Sequence, residues 1–346
     1  MDVPELKSRI LSLSFVLFGL LFGCSKENVN DGVITPPTTD TLTVEPVNIR
    51  GVNWADTRDN FVDGWIILSG LSFEDDYSTV TQKADAVLTG FQTNIKDINT
   101  VRLPINPPTV LQTWWNSYKG VTDKAVSKDI NVILCCWESA SSKNGTVDTL
   151  DAFWQMWDTV ITRYAGNEKV YFEVFNEPHG YSLSSLSDLY VTFLSRYPNV
   201  PKNRILLGGT GYSENVTGIG ADTRFAGCLL ALHNYGFWTN RSLSEWESDW
   251  RSRVGIYKGR TVATEFGASM TTGKNYTAPA NGDNEVAYIQ GSTNVFRQDN
   301  ISSVYWPGLR DNDSYSLQLR EGTGVNITLT TTNASGLTRI RYGWGY

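Results

Sequence analysis

Two glutamates in this sequence stand where a short apolar run stops. Val170-Tyr171-Phe172-Glu173-Val174-Phe175-Asn176 leads into Glu177 and Pro178, and Thr261-Val262-Ala263-Thr264 leads into Glu265, Phe266 and Gly267. Pro178 has no backbone N–H and cannot extend a strand ladder, so Glu177 falls on the carboxyl rim of its strand. Two carboxyl groups facing one cleft suit the chemistry of a sugar acetal. One, protonated, donates to the leaving oxygen, and the other, ionised, attacks the anomeric carbon or activates water. Either glutamate alone reads as a solvated loop acid. Their joint placement at strand ends is what points to catalysis.

The elements that would bring them together are legible as eight apolar or β-branched runs, near 47–54, 100–103, 131–136, 170–175, 204–207, 228–233, 261–264 and 302–306. Between several of them the apolar period changes from 2 to about 3.6. Phe153, Trp157, Val160 and Tyr164 share one helical face, as do Leu186, Leu189, Phe193 and Tyr197. Strand–helix alternation of this kind predicts an α/β fold, a (β/α)8 TIM barrel over residues 47–346, whose sites form at the carboxyl ends of the strands. The rival is a doubly wound open sheet, but no G-x-G-x-x-G follows the first run and no phosphate loop is present. Gly322 to Ser335 alternates weakly and reads as a loop or small hairpin, with a closing amphipathic turn over 337–342.

Composition narrows the partners. With 29 Lys+Arg against 36 Asp+Glu the net charge is −7, opposite to the basic footprint of a nucleic-acid binder. Two histidines and four cysteines without zinc-type spacing argue against a metal or cofactor. Cys135, Cys136 and Cys228 read as buried small hydrophobes. The 12 Trp, 16 Tyr and 14 Phe offer more ring surface than a core alone requires, and rings stack on the apolar faces of sugars. Trp54, Trp114, Trp115, Trp137, Trp238 and Trp306 follow strand ends and are expected as sugar platforms. Trp154, Trp157, Trp246 and Trp250 sit in helical segments and are expected to pack.

The amino terminus reads as an address. Lys7 and Arg9 precede an apolar run from Ile10 to Phe22, too short to span a bilayer. Residues 1–23 are therefore expected to be an export signal. Leu21-Phe22-Gly23-Cys24 resembles a bacterial lipoprotein cleavage site, which would make Cys24 a lipidated first residue; an ordinary cleaved signal is the alternative. Residues 24–46, polar and rich in Thr and Pro, read as an extended tether. The expected location is the outer membrane or cell surface, held only by lipid, or otherwise the periplasm or medium.

Beyond these patterns the chain resembles glycoside hydrolase family 5, the cellulase family of retaining β-glycanases, from Arg50 to Tyr346. The resemblance is carried by Arg50-Gly51-Val52-Asn53-Trp54, Asn99-Thr100-Val101-Arg102-Leu103-Pro104, Phe172 to Gly180, His233-Asn234-Tyr235, Glu265-Phe266-Gly267 and Val304-Tyr305-Trp306, in the family's order. It implies Glu177 as acid/base, Glu265 as nucleophile, and Arg102, Asn176, His233, Tyr235 and Trp306 as substrate-site residues. His233 and Tyr235 are two apart, so on a continuing strand Tyr235 would reach Glu265. Arg102 is expected to lower the pKa of Glu265. Glu177, facing that charge, is expected to start protonated and to grow more acidic once Glu265 is esterified. Asn176 is expected at the sugar 2-hydroxyl. Where the family has a third-strand His, Trp137 and Glu138 stand here, which puts the substrate in question more than the reaction.

The expectation is a monomeric, retaining β-glycoside hydrolase attacking a β-1,4-glucan or related neutral polysaccharide within the chain. A β-mannanase or another retaining β-glycanase of different linkage is one alternative. A catalytically silent glycan-binding protein on the same fold is the other.

Overall fold

The structure is a computed structural model that describes residues 48–58 and 61–346. The leader over 1–23, Cys24 and the tether over 24–46 lie outside the described residues. Eight parallel strands close into a barrel in sequence order: β1 Arg50–Trp54, β2 Thr100–Ile105, β3 Asn131–Cys136, β4 Val170–Glu173, β5 Ile205–Gly208, β6 Leu229–His233, β7 Thr261–Glu265 and β8 Ser302–Leu309, with β8 returning to pair with β1. This is the (β/α)8 architecture the runs predict. β4 ends at Glu173 rather than Phe175, although Val174 N still donates to Leu206 O on β5.

Side-chain alternation splits the core into two layers. Ile133, Leu206, Leu229, Ala231, Val262 and Val304 form a small buried cluster of their own, which period-2 parity places inside the barrel. Their strand neighbours point the other way and join a larger cluster with the helices. The helix Leu150–Tyr164 buries Phe153, Met156, Trp157, Val160, Ile161 and Tyr164. Each such side chain contributes roughly 1.5–3 kcal/mol of transfer free energy. Some helix starts carry side-chain caps: Asp76 accepts from Thr79 N, and Ser242 and Glu245 form a reciprocal capping box.

Three expected sugar platforms belong to this packing instead. Trp54 is fully buried, lies edge-on to Phe91 of the helix Tyr77–Asn94, and donates its indole N–H to Ser69 O. The reason is parity: Asn53 faces the barrel axis, so its neighbour Trp54 must face the helices. Trp114 and Trp115 are also buried, packed against Tyr118. The expected packing of Trp157, Trp246 and Trp250 is observed, and Cys135, Cys136 and Cys228 are free and buried. After β8 the chain makes an antiparallel hairpin, β9 Gln318–Glu321 with β10 Thr328–Thr331, and ends in the helix Ala334–Gly343.

Candidate active site

At the carboxyl end of the barrel one guanidinium organises the floor. Arg102, on β2, is 1 % exposed. It donates through Nε and Nη2 to Glu173 (2.6 and 2.8 Å), through Nη1 to Glu265 Oε1 (2.6 Å) and Asn53 Oδ1 (2.9 Å), and through Nη2 to Asn176 Oδ1 (2.8 Å). Arg102 thus pairs with Glu173 and with Glu265 at once. Burial works against its charge, but the Cys135 thiol and the Glu173 and Glu265 carboxyls facing it hold its pKa well above the ordinary value. Asn53 passes the ordering on, donating to Thr264 O and Tyr305 O, and so ties β1 to the rims of β7 and β8.

Glu265 reaches the axis because of a register shift. Leu232 pairs with Ala263, but His233 pairs with Glu265, so Thr264 is the extra residue of a bulge. The bulge turns the next side chain inward, the usual service of such irregularities beside active sites. Gly267 follows where a Cβ would stand 2.1 Å from Trp306 O, so the two rims approach closely only because the position lacks a side chain. Tyr235 donates to Glu265 Oε2 at 2.9 Å, the expected partner, although β6 ends at His233 and does not continue to it. Burial, followed by the nearby Glu265 charge, pushes the Tyr235 phenol well up, so it keeps its proton and donates.

The Glu265 carboxyl departs from expectation. Burial raises its pKa, and the opposing pull of His233 and Arg102 does not cancel that, so the net direction is upward, not downward. Desolvation of a fully buried carboxylate outweighs even a short ion pair here.

Glu177 follows β4 with a φ of 49°, left-handed backbone that a non-glycine residue adopts only when its surroundings hold it there. Pro178 behind it disfavours the right-handed helical alternative, and Asn176 N donates to Cys136 O in front of it. His233 Nδ1 lies 3.1 Å from Glu177 Oε1 and 3.5 Å from Glu265 Oε2, between the two acids. Burial lowers the His233 pKa, so the imidazole is neutral near pH 7. One ligand atom each of Glu177, His233 and Glu265 lie within 4.8 Å of one another. A cation among them would face the Arg102 guanidinium 2.6 Å from Glu265, an unfavourable neighbour for a metal.

These groups open into a cleft of about 820 Å³, lined by Glu177, His233, Glu265, Trp306 and several rings. Trp306 and Trp238 reach it, as expected; Trp238 is 88 % exposed. Trp137 does not. It is buried behind Trp306, with ring centroids 5.8 Å apart, and props that ring instead of meeting a sugar. Glu138 is likewise occupied, accepting from the backbone N–H groups of Asn144 and Gly145. The cleft also contains Tyr212, Phe237, Tyr315 and Phe61, which the sequence reading did not single out. Phe61, Phe237 and Tyr315 stand on loops and Tyr212 in the one-turn helix Thr210–Ser213, where no period marks a direction. Asn53 and Glu173 were within reach, since both share the inward parity of Arg102.

Comparison with known proteins agrees with this geometry. The family model described as Cellulase (glycosyl hydrolase family 5) matches residues 67–309. No curated protein sequence matches the chain. Among solved structures, an endo-beta-1,4-glucanase from Xanthomonas axonopodis pv. citri superimposes with a TM-score of 0.58 at 13 % identity, covering 87 % of this chain and 100 % of that one. Cel5A (EG2) from Hypocrea jecorina gives 0.57 at 15 % identity, covering 85 % and 98 %. The catalytic domain of endoglucanase Cel5A from Thermobifida fusca gives 0.54 at 18 % identity, covering 86 % and 92 %. With an eight-stranded barrel and two rim glutamates, the chain belongs to glycosyl hydrolase family 5.

Proposed function

We propose that the protein hydrolyses a neutral β-linked glucan or related polysaccharide with retention of anomeric configuration, Glu265 acting as nucleophile and Glu177 as acid and then base. The observation that carries this reading is the approach of the two acids, one oxygen of each within 4.8 Å across a shared cleft. Carboxyl groups about 5–5.5 Å apart suit direct attack on the sugar, whereas about 6.5–9.5 Å is needed to seat a water between them. The substrate class draws support from the aromatic lining and from the endoglucanase relatives, one of which was crystallised with cellotetraose.

The chemistry follows from the contacts. Arg102 and Tyr235 each hold one Glu265 oxygen, which fixes the carboxylate for attack on the anomeric carbon. As the C–O bond breaks, Glu177 gives its proton to the leaving oxygen, and Glu265 is esterified. Water then attacks that ester as Glu177 takes a proton back. His233, neutral and beside both acids, keeps them at a constant separation without adding charge. Asn176, held by Arg102, is assigned to the sugar 2-hydroxyl.

Incubation of the mature protein with β-1,4-glucan, mixed-linkage glucan, mannan and xylan tests the reading. Product anomers followed by NMR should be retained; an inverted product would remove the covalent step. Glu265→Ala should abolish turnover, with azide restoring reaction of an activated aryl glycoside. Near-normal turnover by Glu265→Ala would show the nucleophile to be misassigned.

A further inference from the structure

Glu138 and His179 take no part in the chemistry derived above, yet a chain of contacts ties both to Glu177. His179 stands two residues beyond the acid. Its backbone N–H donates to Glu177 O at 2.7 Å, closing a three-residue turn centred on Pro178, and its ring Nδ1 lies 2.9 Å from the same oxygen. A carbonyl oxygen only accepts, so that ring nitrogen carries a proton and donates it. The Glu177 carbonyl is thus gripped by two donors. In front of the acid, Asn176 N is bound to Cys136 O at 2.8 Å. Between these anchors sits the left-handed backbone of Glu177, a conformation that persists only where its neighbours over-determine it.

The His179 ring is seated from two sides. Its face stacks on Tyr212, with centroids 4.1 Å apart and planes 18° from parallel. On the β3 side runs the backbone of Gly145, where a Cβ would stand 2.5 Å from His179 Cγ and 2.3 Å from Gly180 N. That position has no room for a side chain, and its φ of 72° suits glycine as well. Gly180 N donates to Gly145 O (3.1 Å) and Val147 N to the Tyr181 hydroxyl (3.1 Å), which fastens the two segments together.

Glu138 shapes the loop that provides this seat. It lies two residues past β3 and is 2 % exposed, and its two carboxyl oxygens accept from the backbone N–H groups of Asn144 and Gly145. His179 is not among the residues lining the cleft, whereas Glu177 and Tyr212 are. Its influence on the reaction therefore passes through Glu177.

We infer that Glu138, Gly145 and His179 form a positioning chain for the acid/base: Glu138 shapes the loop, the loop seats the imidazole, and the imidazole holds the Glu177 carbonyl so that the carboxyl meets the leaving oxygen. This rests on the assignment of Glu177 above. A carbonyl released from His179 would let the backbone relax and swing the carboxyl away from His233, now 3.1 Å from it. A misplacement of about 1 Å can cost roughly 100-fold in rate.

Dependence on the leaving group tests the chain. A phenyl glycoside needs a proton to depart, and a dinitrophenyl glycoside does not, so only the first reads the placement of the acid. Both are assayed in the cellobiose, mannobiose and xylobiose series, with Glu177→Ala as reference and unfolding midpoints measured alongside. His179→Phe keeps a ring for Tyr212 and removes the donor; His179→Asn keeps a donor at the same reach and removes the ring. His179→Phe should lower kcat/KM roughly 10- to 100-fold on the phenyl glycosides, with little change on the dinitrophenyl ones, and His179→Asn should recover part of the loss. Glu138→Gln should act in the same direction alone and add nothing in the His179→Phe background. Equal losses on both leaving groups, or none on either, would overturn the chain while leaving the glycosidase reading intact, and additive losses would cut Glu138 from it. Equal losses in Glu177→Ala itself would show the acid to be misassigned. Wild-type turnover of none of these glycosides would remove the glycosidase reading and the chain together.

Discussion

Tyr235 and Arg102 are the two residues whose removal separates catalysis from architecture. Tyr235→Phe deletes one hydrogen bond to the Glu265 carboxylate, a charged-group bond worth about 1.5–3 kcal/mol. The expected result is a fall in kcat of roughly 10- to 100-fold with an unchanged unfolding midpoint, read by steady-state kinetics and denaturant titration. Arg102→Met strands two buried carboxyls, Glu173 and Glu265. Leaving such charges unpaired is expected to destabilise the barrel by about 3–5 kcal/mol, visible in the same titration. The pH dependence has a definite sign. Burial lifts Glu265 above the ordinary value of 4.5, and the ionised form attacks, so kcat/KM should fall on acidification with a midpoint above 4.5. For stability the direction reverses. A carboxyl raised on folding contributes most below its unfolded pKa, and loses that contribution as pH rises through the folded value. Glu265→Gln should therefore be inactive yet at least as heat-stable as wild type at neutral pH, checked by calorimetry. Much of this site is readable from residue type and position together, because two acids at strand ends of one barrel are brought to a shared rim although either alone would read as a solvated loop acid. The direction of the Glu265 shift is not, since desolvation depends on how completely the floor closes over the side chain.

Among the elements, β1 shows how parity separates structure from function. Trp54→Phe should cost stability through lost packing and the lost bond to Ser69, while KM for every sugar stays as in wild type. A platform tryptophan would behave the opposite way. Asn106→Ala removes the donors to Val62 and Gly64 and the cap on Thr109 N, and is expected to destabilise by about 1–3 kcal/mol. Strands were legible because each is a short apolar run ended by a turn signal, and the helical faces at 153–164 and 186–197 repeat at 3.6. What pattern could not supply was irregularity. The extra residue at Thr264 aims Glu265, and the segment after β1 folds over β2 and β3, and neither carries a periodic mark. The exposed rings at 212 and 237 stand on such segments, while rings adjacent to strand ends, as at 54 and 137, turn out to be packed.

For the molecule as a whole, the three thiols of the barrel should be silent. Burial raises Cys135 and Cys136 well above the ordinary thiol value and Cys228 to about 11. Iodoacetamide at neutral pH should label none of them until the chain is unfolded, as mass spectrometry of the digested protein would read. At the other end of the chain, export and a lipid on Cys24 remain our proposal for the leader. An intact-mass measurement should find Cys24 first and carrying acyl groups, whereas a free amine on another residue would end that idea. Among the described residues, no helix is long and apolar enough to cross a membrane.

The double engagement of Arg102 has a consequence for the covalent stage. Before attack, one buried cation faces two carboxyls, one of which is about to lose its charge to an ester bond. Had Glu265 been its sole partner, forming the ester would leave a naked guanidinium in the barrel floor and would penalise the intermediate. Glu173 never reacts, so the cation keeps a counterion throughout the cycle. The floor thus moves from surplus negative charge to neutrality as the sugar is captured.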